Sequence, residues 1–185
     1  MSFYAQLAIF VALAVALVAV LFTWRNRQAA KRAAGLPNLV GNPPPASAGS
    51  FTRRSLEGIG TIEWPGGPEW EGSGNQLYNE ALGMTLLIQN QIQGFGGRER
   101  AYLESYNQVN THDAPNWERG PEQLGQVGGV AAARTSGRFH NGTPMVTRDY
   151  LFFAAFTTVL LQSRVPATHA EALDLTDYLA STFRR

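Results

Sequence analysis

Gly129 to Phe153, GVAAARTSGRFHNGTPMVTRDYLFF, is the stretch that decides the fold. Asn141-Gly142 stands between two runs of strand character, and this pair best tolerates the two positive φ angles of a type I′ hairpin turn. The arm before it alternates small apolar and polar residues. The arm after it, Thr143 to Phe153, is richer in β-branched and aromatic side chains and is expected to be the more buried. Pro144 has no N–H to give to a ladder, which predicts that its position lies outside the pairing or at a bulge. A third run, Thr157 to Val165 (TTVLLQSRV), follows after a short connection and extends the hairpin into an antiparallel meander. Asn141-Gly142-Thr143 also fits the N-glycosylation pattern, but the turn already accounts for these residues.

Downstream, Thr168-His169-Ala170-Glu171 reads as a capping box opening a final helix, with Thr168 as the cap. Ala172, Leu175, Leu179 and Phe183 then recur at helical spacing and form one apolar stripe, which predicts a helix laid on the sheet. Upstream, Arg98 to Gln108 has helical character, and short strands are expected at Gly60–Trp64 and Met84–Gln89. Trp64-Pro65-Gly66-Gly67-Pro68-Glu69-Trp70 is a turn-rich aromatic segment. The reading is α+β: a mostly antiparallel sheet with flanking helices.

Farther out, Phe3 to Trp24 contains no charge and only one strongly polar side chain, Gln6. At about 1.5 Å per residue it extends roughly 33 Å, enough to cross a bilayer core. A secretory signal peptide would begin with basic residues and end in a small-residue cleavage site, whereas this run begins without a basic side chain and ends in Thr23-Trp24-Arg25. A transmembrane helix over 1–24 is therefore expected. Arg25, Arg27, Lys31 and Arg32 follow it directly, and basic flanks are retained on the cytoplasmic side. These residues predict a single-pass protein with its N-terminus outside and its soluble domain in the cytoplasm, and the excess of arginine over lysine, fourteen to one, in an alanine-rich chain points to a bacterial inner membrane. A periplasmic domain is the alternative. Residues 25–50 read as a basic flank and a tether rich in proline, alanine and glycine, centred on Pro43-Pro44-Pro45. Residues 51–185 form one soluble domain.

Charge divides the chain in the same place. The first 50 residues hold four cations and no anion, which leaves eleven cations against fourteen anions in the domain. That balance disfavours a nucleic-acid partner. Cysteine is absent, which excludes disulfides, thiolate metal sites and cysteine nucleophiles. His112, His140 and His169 fall at no metal-binding helical spacing, and no serine sits in a GxSxG elbow. The glycines of Gly94-Phe95-Gly96-Gly97 complete no phosphate-binding pattern. No catalytic residue, metal or cofactor is assigned, and the chain reads as a non-enzyme. Trp64, Trp70 and Trp117 lie in segments rich in proline and glycine, where a tryptophan is either a cover on the core or a protein-binding anchor.

The order of these elements, from Trp64–Trp70 through the strand at Gly83–Gln89, the helix near Glu99 and the meander to the closing TDYLASTFRR, resembles the PsbP-like fold. Extrinsic photosystem II subunits, a Ran-binding nuclear import factor and assorted bacterial envelope proteins share that fold. The resemblance covers about positions 59 to 185 and carries no catalytic residue across. It implies a compact sheet with helices on both faces, used mainly to bind proteins. The expected function is a membrane-anchored accessory or scaffold subunit, held by the lipid bilayer and bound to an integral membrane complex of photosynthetic, respiratory or transport type. The alternative is a membrane-tethered enzyme or small-ligand sensor with a pocket in its domain.

Overall fold

A computed structural model of the chain describes residues 3–41, 50–56, 59–91, 98–154 and 157–185. The first element, α1 (Phe3–Ala34), is one continuous helix. It does not end at Trp24, where the apolar run ends. Arg25 to Ala34, RNRQAAKRAA, is made almost wholly of strong helix formers, and the first breakers are Gly35 and Pro37. Its most apolar 18 residues have a mean hydropathy of 2.8 and none is buried in the protein, so the helix is long and apolar enough to cross a membrane.

The remaining elements are β1 (Ser50–Leu56), β2 (Gly60–Gly66), β3 (Glu71–Ser73), β4 (Gln76–Asn79), β5 (Met84–Gln91), α2 (Glu99–Asp113), β6 (Glu118–Arg119), β7 (Gln123–Val127), β8 (Val130–Asn141), β9 (Thr143–Phe153), β10 (Thr158–Pro166), a 3-10 helix over Ala167–Leu173, and α3 (Asp174–Ser181). An eight-stranded antiparallel sheet runs β3-β4-β5-β10-β9-β8-β6, with β7 also paired to β8. Strands β1 and β2 form a separate hairpin. The expected meander is thus the centre of the sheet.

Alternation along the central strands gives the sheet two apolar faces. On one, Tyr150, Phe152, Val159 and Leu161 join Ile62, Trp64, Leu179 and Phe183 in the main core beneath α3. The β1–β2 hairpin closes this side from outside: Tyr178 Oη donates to Glu63 at 2.6 Å, and Thr61 and Arg184 exchange backbone hydrogen bonds. On the other face, Leu151, Phe153, Leu160, Ala131 and Ala133 meet Tyr102 and Leu103 of α2 and Ala33 of α1.

Three local expectations are corrected. The hairpin turn is not type I′, because only Gly142 has positive φ (71°) and Asn141 does not. Pairing continues to Asn141 opposite Thr143, so one glycine absorbs the left-handed angle that two residues would otherwise share. Pro144 lies inside β9, opposite His140, one residue beyond the point where β10 ends with Pro166 opposite Met145. Thr168 caps no helix: the 3-10 turn begins at Ala167 straight after the strand, and Thr168 Oγ1 lies 3.4 Å from His169 Nδ1 instead. The stripe itself holds, with Leu179 and Phe183 fully buried.

Candidate functional site

The last turns of α1 are amphipathic in a particular way. Asn26, Ala29, Ala30 and Ala33 turn toward the domain, while Arg25, Arg27, Lys31 and Arg32 are exposed. Small residues permit the approach on both sides: Ala33 is fully buried in the same cluster as Ala131 and Ala133 of β8. The chain then crosses the sheet edge. Gln126 N donates to the Pro37 carbonyl (2.8 Å), Leu39 N donates to the Gln126 carbonyl (3.0 Å), and Val40 enters the core on the far face. Gly125 makes this crossing possible, since a Cβ there would overlap the Pro37 carbonyl oxygen and the Leu39 side chain. Residues 35–41, expected to begin a tether, therefore clamp the edge of β7. Residues 42–49, which include Pro43-Pro44-Pro45, lie outside the described residues.

A cleft of about 460 Å³ lies on the same face, between α2 and the β5–β10 side of the sheet. Arg98, Ala101, Tyr102, Ser105, Tyr106, Val109, Asn110 and Asp113 follow one another at three- and one-residue steps, which places them on one side of α2. Opposite them stand Leu87 and Gln89 of β5, paired with Gln162 and Leu160 of β10, and beyond these Arg164. Asn110 is only 8% exposed, and its side chain hydrogen-bonds to Tyr106 one turn earlier on α2.

A buried carboxylate lies behind this wall. Asp149 of β9 has no exposed surface, and Tyr106 Oη donates to its Oδ2 at 2.8 Å. Gln162 Nε2 donates to Tyr106 Oη (2.7 Å), and Arg164 Nε donates to Gln162 Oε1 (3.1 Å). The Gln162 side chain and the Ser163 backbone N–H also favour the charged form of Asp149. Burial pushes its carboxyl up to about 7, against the opposing pull of Tyr106, Gln162 and the Arg164 charge. Burial, followed by the nearby Asp149 charge, also holds the Tyr106 phenol well above its ordinary range.

On the α3 face a second carboxylate has different company. Asp177 accepts from Arg134 (2.9 Å), Arg148 (2.7 Å) and Tyr150 Oη (2.7 Å), and Arg148 also reaches Asp174 at 3.3 Å. Burial and then Asp177 hold the Tyr150 phenol above its usual value.

The three tryptophans are dispersed. Trp64 is 5% exposed within the main core, with the Arg54 guanidinium over its ring. Trp70 is half-buried and packs against the edge of the same core. Trp117 is half-buried on the α2 face, where it covers Gly137 and adjoins Phe139. Phe139 in turn carries the Arg164 guanidinium 5.7 Å from its ring centre, so Trp117 props one wall of the cleft. His140 is exposed beside the hairpin turn, and His169 sits at a kink in the 3-10 turn. The side chain of His112 and the glycines at 94–97 lie outside the described residues. No group of three or more potential metal ligands occurs among the described residues. Sequence reasoning missed Asp149, Tyr106, Gln162, Asn110 and Arg164. The three- and one-residue spacing along α2 was the available signal.

No protein-family model matches the chain, and no curated protein matches it. Solved structures similar to it include PA94 of Pseudomonas aeruginosa, a protein of unknown function, at 11% identity over 72% of this chain and 96% of that one, with a TM-score of 0.51. Another is LpqN of Mycobacterium tuberculosis, involved in cell envelope biogenesis, at 13% identity over 74% and 91%, TM-score 0.50. The cyanobacterial PsbP of Synechocystis sp. PCC 6803 aligns at 10% identity over 78% and 98%, TM-score 0.49. The expected PsbP-like fold is met. At such identities the likeness concerns the fold alone.

Proposed function

We propose that the protein is a membrane-anchored, non-enzymatic accessory subunit, whose domain rides on the lipid surface in a fixed orientation and binds the aqueous face of a larger membrane complex. The observation that carries this reading is the unbroken helix that runs from the apolar segment into the domain and buries Ala33 there. A domain joined by a flexible tether samples every orientation, whereas one clamped to its own anchor presents a single face. In this reading the β7–β8 turn and Arg185, which share a small cavity with Asn26 and Ala29 just past Trp24, ride at headgroup level. Arg25, Arg27, Lys31 and Arg32 are exposed there, and each is worth about 1 kcal/mol against anionic lipid. By the flanking-charge rule they keep the domain in the cytoplasm.

Co-purification from native membranes in mild detergent tests this. The full chain should bring a partner complex with it. Gly125→Val, which wedges the clamp open without touching the apolar helix, should insert in the membrane but lose most of that partner. A protein that always purifies alone, or a variant that retains its partner with the clamp broken, contradicts the proposal. For orientation, a reporter that works only in the cytoplasm should be active when fused after Arg185. Activity of a periplasm-only reporter would overturn it.

A further inference from the structure

We propose that α2 is a proton-controlled lid: it stays docked on the sheet while Asp149 is protonated, and it opens, uncovering the apolar patch beneath it, when that carboxyl ionises. This does not depend on the accessory reading. The first observation is how little holds α2 down. Among the described residues, Tyr102 and Leu103 are its only buried apolar side chains. The rest of its inner side is polar. Tyr106 Oη donates to Asp149 and accepts from Gln162, and Asn107 Nδ2 donates to Glu122 on the β6–β7 connection. No side chain caps the helix at Arg98. A polar helix of 15 residues is marginal by itself in water, so α2 keeps its backbone hydrogen bonds only while docked.

Tyr106 rests on a carboxyl that has no exposed surface, and the groups around that carboxyl bring it little counter-charge. Tyr106 of α2, Gln162 of β10, and Thr135, the partner of Asp149 on β8, are uncharged. So is Thr147, two residues earlier on β9. Arg164 of β10 pulls on Asp149, but it donates to Gln162 and lies over the Phe139 ring. Arg119 is taken by Glu104 and Glu122, and Arg148 lies on the opposite face with Asp177. Arg98 and Asp113 line the cleft from α2. Once ionised, Asp149 therefore gains most by meeting water, and α2 is the cover in the way. Burial holds its carboxyl near 7 against an ordinary 3.8, so between these values the docked state keeps a proton that the opened state releases. Rising pH through that range favours opening. Tyr106 stays a donor throughout, because its phenol titrates well above its ordinary range. Opening bares Leu151, Phe153 and Leu160 beside Ala33 of α1.

Hydrogen exchange of the full chain in lipid nanodiscs, read by mass spectrometry and corrected for the intrinsic pH dependence of amide exchange, tests the lid. Global unfolding also frees Asp149, so α2 is measured against β9 and β10. At pH 8 the α2 amides should exchange at least about tenfold faster than those of the two strands. Their protection at pH 5.5 should exceed that at pH 8 by at least about tenfold. Asp149→Asn should abolish this change in α2, whereas Asp174→Asn, an exposed carboxylate on the other face, should keep it. Tyr106→Phe retains the ring without the hydroxyl and should lower α2 protection at pH 5.5 by about tenfold, which decides the matter should Asp149→Asn fail to fold. The lid is overturned if α2 never exchanges ahead of the strands, if its protection is the same at both pH values, if the pH response survives Asp149→Asn, or if Tyr106→Phe leaves α2 as protected as before.

Discussion

The two faces of the central sheet use nearly the same chemical parts and reach opposite results. Each has a carboxylate, a tyrosine and an arginine close together. On the α3 face the guanidinium groups of Arg134 and Arg148 point at Asp177, and Tyr150 completes its shell. On the α2 face Arg164 is engaged by Gln162 and Phe139 and forms no ion pair with the fully buried Asp149, whose carboxylate accepts from the Tyr106 phenol. The first arrangement is closed and fastens α3, whose outer side is covered again by the β1–β2 hairpin. The second is open and leaves a cleft beneath α2. A carboxylate whose burial outweighs the pull of its neighbours weakens a fold at neutral pH, and such groups concentrate where a protein does something besides hold together. The contrast separates a structural face from a face available for binding.

Substitutions of graded severity test that contrast, each read by denaturant unfolding of the full chain in detergent micelles. Leu179→Asp should have the largest effect. It places an uncompensated charge in the sealed core under α3, and a loss above about 4 kcal/mol leaves little or no folded domain. Survival of the fold would mean that the α3 face is as accessible as the α2 face.

Next in size is the pH dependence contributed by Asp149. Its carboxyl titrates near 7 in the folded chain and near 3.8 when unfolded, so between these values the folded state holds a proton that the unfolded state has released. Stability from this group should therefore fall as pH rises from about 4 to about 7, by about 4 kcal/mol in all, and change no further above that. Asp149→Asn should abolish the fall and be the more stable form at pH 8. A wild-type curve unaltered by the substitution would break the comparison.

Asp177→Ala should cost about 3 kcal/mol, since it strands Arg134 and Arg148 without their shared partner. The smallest effect belongs to Thr168→Ala, expected within about 0.5 kcal/mol because the hydroxyl caps nothing. A loss of about 1 kcal/mol, the ordinary value for a cap, would reinstate the capping box.

Local signals carried most of the fold. The meander and the Leu179–Phe183 stripe are written in short-range periodicity, and both appear where the pattern put them. The end of α1 was equally legible in RNRQAAKRAA, but hydropathy marks where a membrane segment stops and says nothing of where helix stops. The capping-box pattern misled because Pro166 ends β10 in a geometry that lets the 3-10 turn start at once, one residue ahead of Thr168. Trp64 and Trp117 show the limit of reading a loop tryptophan from its neighbours, since long-range packing decides whether it covers the core. The candidate site was less legible still. Tyr106 meets Asp149 across 43 residues and Gln162 across 56, and neither pairing leaves a local trace. Ala131 and Ala133 read only as small apolar positions of the first hairpin arm; their small size is what admits α1.

The most direct measurement is a carbon-13 NMR titration of the Asp149 side-chain carboxyl in the full chain, assigned by its loss in Asp149→Asn. A midpoint near 7 is expected, the signature of a carboxylate whose burial behind the α2 cleft outweighs the pull of Tyr106, Gln162 and Arg164. A midpoint near 4, that of a hydrated aspartate, would show that this face holds no such group and would remove the distinction between the two sides of the sheet.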